Sequence, residues 1–417
     1  MIYRLLYTLF LWLLLPYIFF HLFWRARKQP QYLRHIGERF GFYPHRPRKP
    51  IIWLHTVSVG ETRAAATLIK RLQAQYPDQQ ILLSHTTPTG RETSEQLYGD
   101  SVLRVYLPYD YPFAVKRFLR HFQPRIGVLL ETEIWFNLIH QCKRHAIPLL
   151  LLNARLSQKS ARGYGRFARL TRIGLGELSH ISAQTPEDAE RLKQLGARSV
   201  SVMGNLKYDI VPPPSQLMLG EQLRQLFGAS RPVLLAASTR EGEEAMLLSA
   251  LKSVNIPGLL TIIVPRHPQR FDEVAVQIKE RGYTLQRRSE NLPVAAATQV
   301  VLGDSMGEMF AYYAACDVAL IGGSLQPLGG QNLIEACAVG KPVLFGPHMF
   351  NFAQASESAL QHGAALRLAD ISELPDKLEQ LLNHHETATR MGTAAKAFVE
   401  KNQGATERAI NLLSAII

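Results

Sequence analysis

Residues 318–340 read VALIGGSLQPLGGQNLIEACAVG. An apolar strand, Val318–Gly322, runs into a glycine-rich loop, and a short helix from about Asn332 to Val339 ends at Gly340. Strand, glycine loop and helix in that order form the repeating unit of a parallel α/β sheet. The same unit recurs outward in both directions. Pro342–Phe345 follows it, and Pro232–Ala237, Leu260–Val264 and Gln299–Gly303 precede it as apolar runs of strand length. Further upstream lie Ile51–His55, Gln80–His85, Val102–Leu107, Ile126–Leu130 and Leu149–Asn153, with helix-like segments such as Glu61–Gln75 and Tyr111–Phe122 between them. Continuous apolar strands joined by helical crossovers predict parallel sheets covered on both faces.

The run Val211-Pro212-Pro213-Pro214 breaks this alternation near mid-chain and reads as an interdomain linker. The predicted class is therefore α/β, with two doubly wound, Rossmann-like domains facing a cleft and ligands at the C-terminal ends of the strands. The boundaries expected are an anchor helix at 1–28, an N-terminal domain at 29–210 and a C-terminal domain at 211–417. The last helix is free to pack back on the N-terminal domain.

A length of 417 residues fits two domains, and 47% hydrophobic against 19% charged residues excludes disorder for the bulk of the chain. The three cysteines, Cys142, Cys316 and Cys337, have neither metal-like nor redox-like spacing, which excludes a disulfide scaffold and points to a reducing compartment. Lys and Arg exceed Asp and Glu by 47 to 34, a formal charge of +13 that favours an anionic partner. With no run of five basic residues and no zinc-finger spacing, nucleic acid is not the partner expected.

From Leu5 to Phe23 the chain reads LLYTLFLWLLLPYIFFHLF, nineteen positions without a charge. That length suffices for a bilayer-spanning helix, with an interfacial placement the equal alternative, and Pro16 is expected to kink it. Tyr7, Trp12, Tyr17 and Trp24 suit the lipid–water interface. Arg25, Arg27 and Lys28 follow at once, against Arg4 alone before, which keeps everything after residue 25 in the cytoplasm. No small-residue cleavage site follows, so a secretory signal peptide does not fit.

Several loops carry chemistry. His55-Thr56-Val57-Ser58-Val59-Gly60-Glu61 sets Glu61 at a strand end, where a carboxylate can take a proton from a hydroxyl; the same carboxylate would also complement a helix N-terminus, which lowers its pKa. Glu131-Thr132-Glu133-Ile134-Trp135 offers two carboxylates for a metal, for a substrate or for solvent. No Asp-x-Asp occurs in the chain, so a metal site of the kind common in sugar-nucleotide enzymes lacks its ligands. In the opening stretch the glycines permit close approach to a phosphate, and Glu335 is placed to accept from ribose hydroxyls; a packing turn is the alternative. Pro265-Arg266-His267 offers a guanidinium, Gly307-Glu308-Met309 opens another helix, and Lys207 lies just before the linker.

Together, HTVSVGE at 55–61, ETEIW at 131–135, NARLS at 153–157, GNLKYD at 204–209, VPRHP at 264–268 and GGS…GGQNLIE at 322–335 resemble the Kdo transferases of lipopolysaccharide synthesis. Those enzymes move 3-deoxy-D-manno-oct-2-ulosonic acid (Kdo) from CMP-Kdo onto a lipid A precursor. The resemblance runs nearly the length of the chain and keeps the order of the motifs. It implies a GT-B fold, with acceptor bound by the N-terminal half and the CMP-sugar by the C-terminal half, and inversion without a metal or other cofactor. It implies Glu61 as general base and Glu131 and Lys207 as transition-state support. It assigns CMP contacts to Pro265, Arg266 and His267, to Gly307, Glu308 and Met309, and to Asn332, Leu333, Ile334 and Glu335. The partners implied are CMP-Kdo, a lipid A precursor and the bacterial inner membrane at its cytoplasmic face. Rival readings are a GT-B transferase using another nucleotide sugar, a non-catalytic binding protein for acidic lipid, and a nucleotide-sugar epimerase.

Overall fold

The computed structural model describes residues 2–44 and 46–417, with Lys28 known by its backbone alone. Its two compact units are Met1–Asp209 with Gln403–Ile417, and Ile210–Asn402.

In the first unit seven strands form one sheet: β1 Ile51–His55, β2 Gln80–His85, β3 Leu103–Tyr106, β4 Ile126–Leu130, β5 Leu149–Ala154, β6 His180–Ala183 and β7 Val200–Val202. Their order is β3-β2-β1-β4-β5-β6-β7, parallel throughout. Side chains alternate across the sheet, so Ile51 and Trp53 join one core and Ile52 and Leu54 the other. Gly127 in β4 makes room for the Trp53 indole, since a Cβ there would come within 2.6 Å of its ring. The chain leaves β1 in one direction toward β3 and in the other toward β7, so the switch point lies between β1 and β4.

The second unit repeats the plan with β8 Val233–Thr239, β9 Leu260–Pro265, β10 Leu285–Arg287, β11 Val300–Leu302, β12 Val318–Ile321, β13 Val343–Phe345 and β14 Ala365–Arg367. The order is β10-β11-β9-β8-β12-β13-β14, again parallel, with its switch point between β8 and β12. In open sheets of this kind the crevice at the switch point is where ligands bind.

Some elements differ from their sequence reading. The helix expected at 61–75 is two pieces, Val59–Ala64 and Ala66–Gln75, turned at Ala65. The first piece holds Glu61 at the end of β1, while the second lays Leu68, Ile69 and Leu72 on the core. The helix expected from about Asn332 begins at Ile334, and the Asn332 side chain accepts from the Ile334 amide at 3.0 Å in a local turn that leads into it. The N-terminal helix, Ile2–Lys28, is continuous through Pro16.

The units part between Asp209 and Ile210, and Pro214 opens the helix Pro214–Phe227. Residues 403–417 belong to the first unit. There the helix Ala405–Ser414 sets Ala405, Ala409, Ile410 and Leu413 against Leu68 and Leu72. The buried Asp209 carboxylate fastens it by accepting from the Gly404 amide at 2.7 Å and from the Thr406 amide. Removing that acceptor strands two amides at a helix N-terminus. Asp209→Ala is expected to cost about 2 kcal/mol, read as a lower urea midpoint for the first unit and faster proteolytic release of residues 403–417. An unchanged midpoint would refute this role.

Candidate active site

The loop leaving β1 is organised by Ser58, which caps the helix Val59–Ala64 by accepting from the Glu61 amide. The Glu61 carboxylate turns back, accepting from the Val57 amide at 2.7 Å and the Ser58 hydroxyl at 2.9 Å. Glu61 and Ser58 thus bond each other reciprocally at the helix start, and Glu61 faces the switch point. Only 8% of it is exposed. Burial dominates over both hydrogen bonds, and with the charge of Glu131 nearby it pushes the carboxyl up to about 7. A carboxylate tuned there suits general-base work near neutral pH.

Glu131 follows β4 in a left-handed conformation (φ 60°), as does Asn153 at the end of β5 (φ 55°). Non-glycine residues rarely adopt it, and such strain concentrates at working sites. The Glu131 carboxylate pairs with the Lys207 ammonium at 3.4 Å. Lys207 sits in a 3₁₀ turn, Leu206–Tyr208, held by a chain of amide side chains. Asn153 Oδ1 accepts from the Leu206 amide, Asn205 Oδ1 from the Lys207 amide, and Asn205 Nδ2 donates to Gln184. The NARLS and GNLKYD stretches therefore carry the residues that bring Lys207 to Glu131. Glu61, Glu131 and Lys207, candidates from sequence, lie in one unit and converge at one sheet edge.

Glu133, the second carboxylate of that loop and assigned no role from sequence, joins them. Its carboxylate accepts from the Trp135 indole at 2.7 Å, and burial with the neighbouring Glu131 charge pushes it up to about 7. His55 Nε2 lies 4.0 Å away, fully buried and without a hydrogen-bond partner among the described residues. Because Nδ1 faces the Ser84 carbonyl at 2.9 Å, Nδ1 carries the proton and Nε2 is an acceptor. Burial drives the imidazole down to about 3, so it stays neutral beside the carboxyl group. The i, i+2 spacing of the two glutamates was the signal; the His55 partner of Glu133 comes from β1, about eighty residues earlier in the chain.

In the second unit the remaining candidates follow three strands, β11, β9 and β12, with β8 between the last two. The glycine loop after β12 is tied down rather than open. The Glu243 carboxylate accepts from the amides of Arg240, Gly323 and Leu325 at 2.6–2.9 Å. Gly322 lets the ends of β8 and β12 close up, since a Cβ there would sit 2.4 Å from the Ser238 carbonyl oxygen. The amides of Gly323 and Leu325 are thus committed to a packing role. Leu333 and Ile334 are fully buried in the core, so only their backbone is open to a ligand role. Asn332 donates to Glu335 at 3.0 Å and fixes that carboxylate near the helix start.

Pro265 ends β9, and the Arg266 amide donates to the Thr239 carbonyl at 2.9 Å, pinning this loop to β8. Burial, with Arg240 and Arg266 nearby, lowers the pKa of His267. Gly307 is left-handed (φ 79°), and Met309 begins the helix Met309–Ala315. Between them Glu308 accepts from the Ser305 hydroxyl at 2.6 Å and pairs with Arg288 at 3.3 Å. Sequence reading missed the clamp beneath these loops, where buried Arg270 donates both terminal nitrogens to Glu244 at 2.7 and 3.0 Å and Thr239 donates to the same carboxylate. Among the described residues no three His, Cys, Asp or Glu converge as a metal site.

Two Rossmann-like domains with chemistry at their strand ends are the architecture of a GT-B glycosyltransferase. The Anabaena protein Alr3699/HepE, in complex with UDP, shares the fold with a TM-score of 0.57, at 17% identity over 88% of this chain and all of that one. The family model for 3-deoxy-D-manno-octulosonic-acid transferase matches residues 34–210, and that for glycosyl transferases group 1 matches 246–398. Among curated relatives, the 3-deoxy-D-manno-octulosonic acid transferase of Bordetella pertussis is 42% identical, and that of Haemophilus influenzae 37%, each over 98% of both chains. The chain belongs to the Kdo transferase family and is a glycosyltransferase.

The buried Glu61 also has a cost to stability. Its pKa is raised in the fold above its ordinary 4.5, so the native state binds the proton more tightly than the unfolded state. Destabilisation by the ionised carboxylate is absent well below pH 4.5, grows from there to about pH 7 and is complete above it. Glu61→Gln is expected to stabilise the first unit by about 2–3 kcal/mol at pH 8.5 and by almost nothing at pH 4, measured by urea unfolding. Equal effects at both pH values would contradict the raised pKa.

Proposed function

We propose that this Kdo transferase uses CMP-Kdo as donor and a hydroxyl of a lipid A precursor such as lipid IVA as acceptor, inverts the anomeric carbon and needs no metal. The observation that carries the reading is Glu61: a buried carboxylate at the switch point, within HTVSVGE, in a chain of this family. As the acceptor oxygen attacks the anomeric carbon, its proton passes to Glu61 and the C–O bond to the CMP phosphate breaks. The bonding pair leaves with CMP as a phosphate monoester. Attack opposite the leaving group inverts the centre. The Lys207–Glu131 pair supports the charge that develops beside Glu61.

On the donor side, Arg240 and Arg266 gather positive potential at the ends of β8 and β9, suited to a phosphodiester, and they help keep His267 beside them neutral. Asn332 and Glu335 suit the ribose hydroxyls, and the backbone of 307–309 and 333–334 the remainder of CMP. A phosphorylated, acylated acceptor matches the excess of 47 basic over 34 acidic residues and the apolar N-terminal helix. That helix and the basic residues after it support a position at the cytoplasmic face of the inner membrane.

The test is transfer from CMP-Kdo, generated in situ, to tetra-acylated lipid A precursor in detergent with EDTA, products resolved by mass. One or more added Kdo units are expected. Glu61→Gln should lower turnover by about 10²–10⁴ while CMP binding persists. No transfer by the folded enzyme, or transfer abolished by EDTA, would overturn the donor assignment or the metal independence respectively.

A further inference from the structure

The helix Ile2–Lys28 is fixed to the folded body along most of its length. Tyr7 donates its hydroxyl to the Asp110 carboxylate at 2.9 Å, and Tyr111 donates to the Leu11 carbonyl at 2.6 Å. Arg169 donates to the Tyr3 hydroxyl, Thr8 to Asn137 Oδ1, and the rings of Phe19 and Phe40 stack at 5.5 Å. From Tyr3 to Phe19 these contacts cover about 24 Å of helix. Their partners are not free to enter hydrocarbon. Asp110 is buried and also accepts from the amides of Asn137 and Leu138, which start the helix Phe136–Arg144. A helix crossing the bilayer along its normal would have to abandon every one of these bonds or drag a buried carboxylate into lipid.

The opposite face is bare and apolar. Leu6, Leu9, Leu13, Tyr17, Phe20 and Trp24, at helical spacing, are each more than half exposed. Cations flank this row from three elements: Arg25 and Arg27 at its end, Arg169 beside Tyr3, and Arg117 over Phe42 and Phe113. No acidic residue precedes Glu38. An apolar stripe rimmed by positive charge complements the headgroup–acyl boundary of an anionic leaflet.

We propose that this helix does not span the bilayer but lies in the plane of an anionic leaflet, its inner row on the enzyme and its outer row in lipid, with the N-terminus on the same side as the catalytic body. The inference rests on the membrane placement given under Proposed function and decides between the spanning and the interfacial anchor.

The three native cysteines are buried, so Ile2→Cys supplies a reporter thiol in the full chain. In intact spheroplasts a membrane-impermeant maleimide should leave the new thiol unlabelled, as it leaves the control Met218→Cys, and label both once the membrane is opened. Labelling of Ile2→Cys alone in intact spheroplasts would show a spanning helix and overturn the proposal, leaving the transferase reading intact. A second measurement uses purified enzyme on vesicles of phosphatidylglycerol carrying brominated acyl chains. Differences between wild type and the Trp12→Phe or Trp24→Phe variants should place both indoles at one shallow depth. Quenching of Trp12 chiefly by bromines near the chain ends would contradict it. Enzyme found only in the soluble fraction would overturn the membrane placement itself.

Discussion

The Glu61 carboxylate is held by the Val57 amide and the Ser58 hydroxyl while the end of β1 keeps it out of water. These forces oppose one another: hydrogen bonds favour the ionised form and burial the neutral one. Their balance near 7 lets the group stay ionised at working pH and still hold a proton it receives. Much of the first unit serves this balance. The turn at Ala65 keeps Glu61 at the switch point, the strained backbone of Glu131 brings a second carboxylate to it, and the Asn153–Asn205–Gln184 chain delivers Lys207 to offset that charge.

The second unit shows a different division of labour. Its glycine loop, inviting as a phosphate cradle, spends two of its amides on Glu243 and its smallest residue on contact with Ser238. Arg270 and Glu244 lock the neighbouring loops from below. Loops held this rigidly present Arg266, His267 and Glu335 without ordering cost at the moment of binding. Buried ion pairs of this kind add little to stability but are costly to break on one side, which fits a positioning role.

Apolar runs such as Ile51–His55, Ile126–Leu130 and Val318–Ile321 were legible in the sequence because central strands of a parallel sheet are buried on both faces. His180–Ala183, Val200–Val202, Leu285–Arg287 and Ala365–Arg367 were not, being three or four residues long and partly exposed at or near the sheet edges. Glu61, Glu131 and Lys207 could be found from motifs at strand ends. The His55–Glu133 contact, the Glu243 bracket and the Asp209 cap join residues far apart in the chain, so only the topology reveals them. The helix at 2–28 read as long and apolar enough to cross a membrane, yet its hydrogen bonds to Asp110 and Tyr111 depend on side chains about one hundred residues away.

The central claim is that burial makes Glu61 the base. Its most direct test is the pH dependence of kcat/KM for Kdo transfer by the wild-type enzyme and by the residual activity of Glu61→Gln. The wild type should show an acid limb of unit slope with a midpoint near 7, and the variant should lack it, which separates Glu61 from the similarly raised Glu133. A wild-type limb near the ordinary carboxylate value, or a limb near 7 that survives in Glu61→Gln, would contradict the assignment.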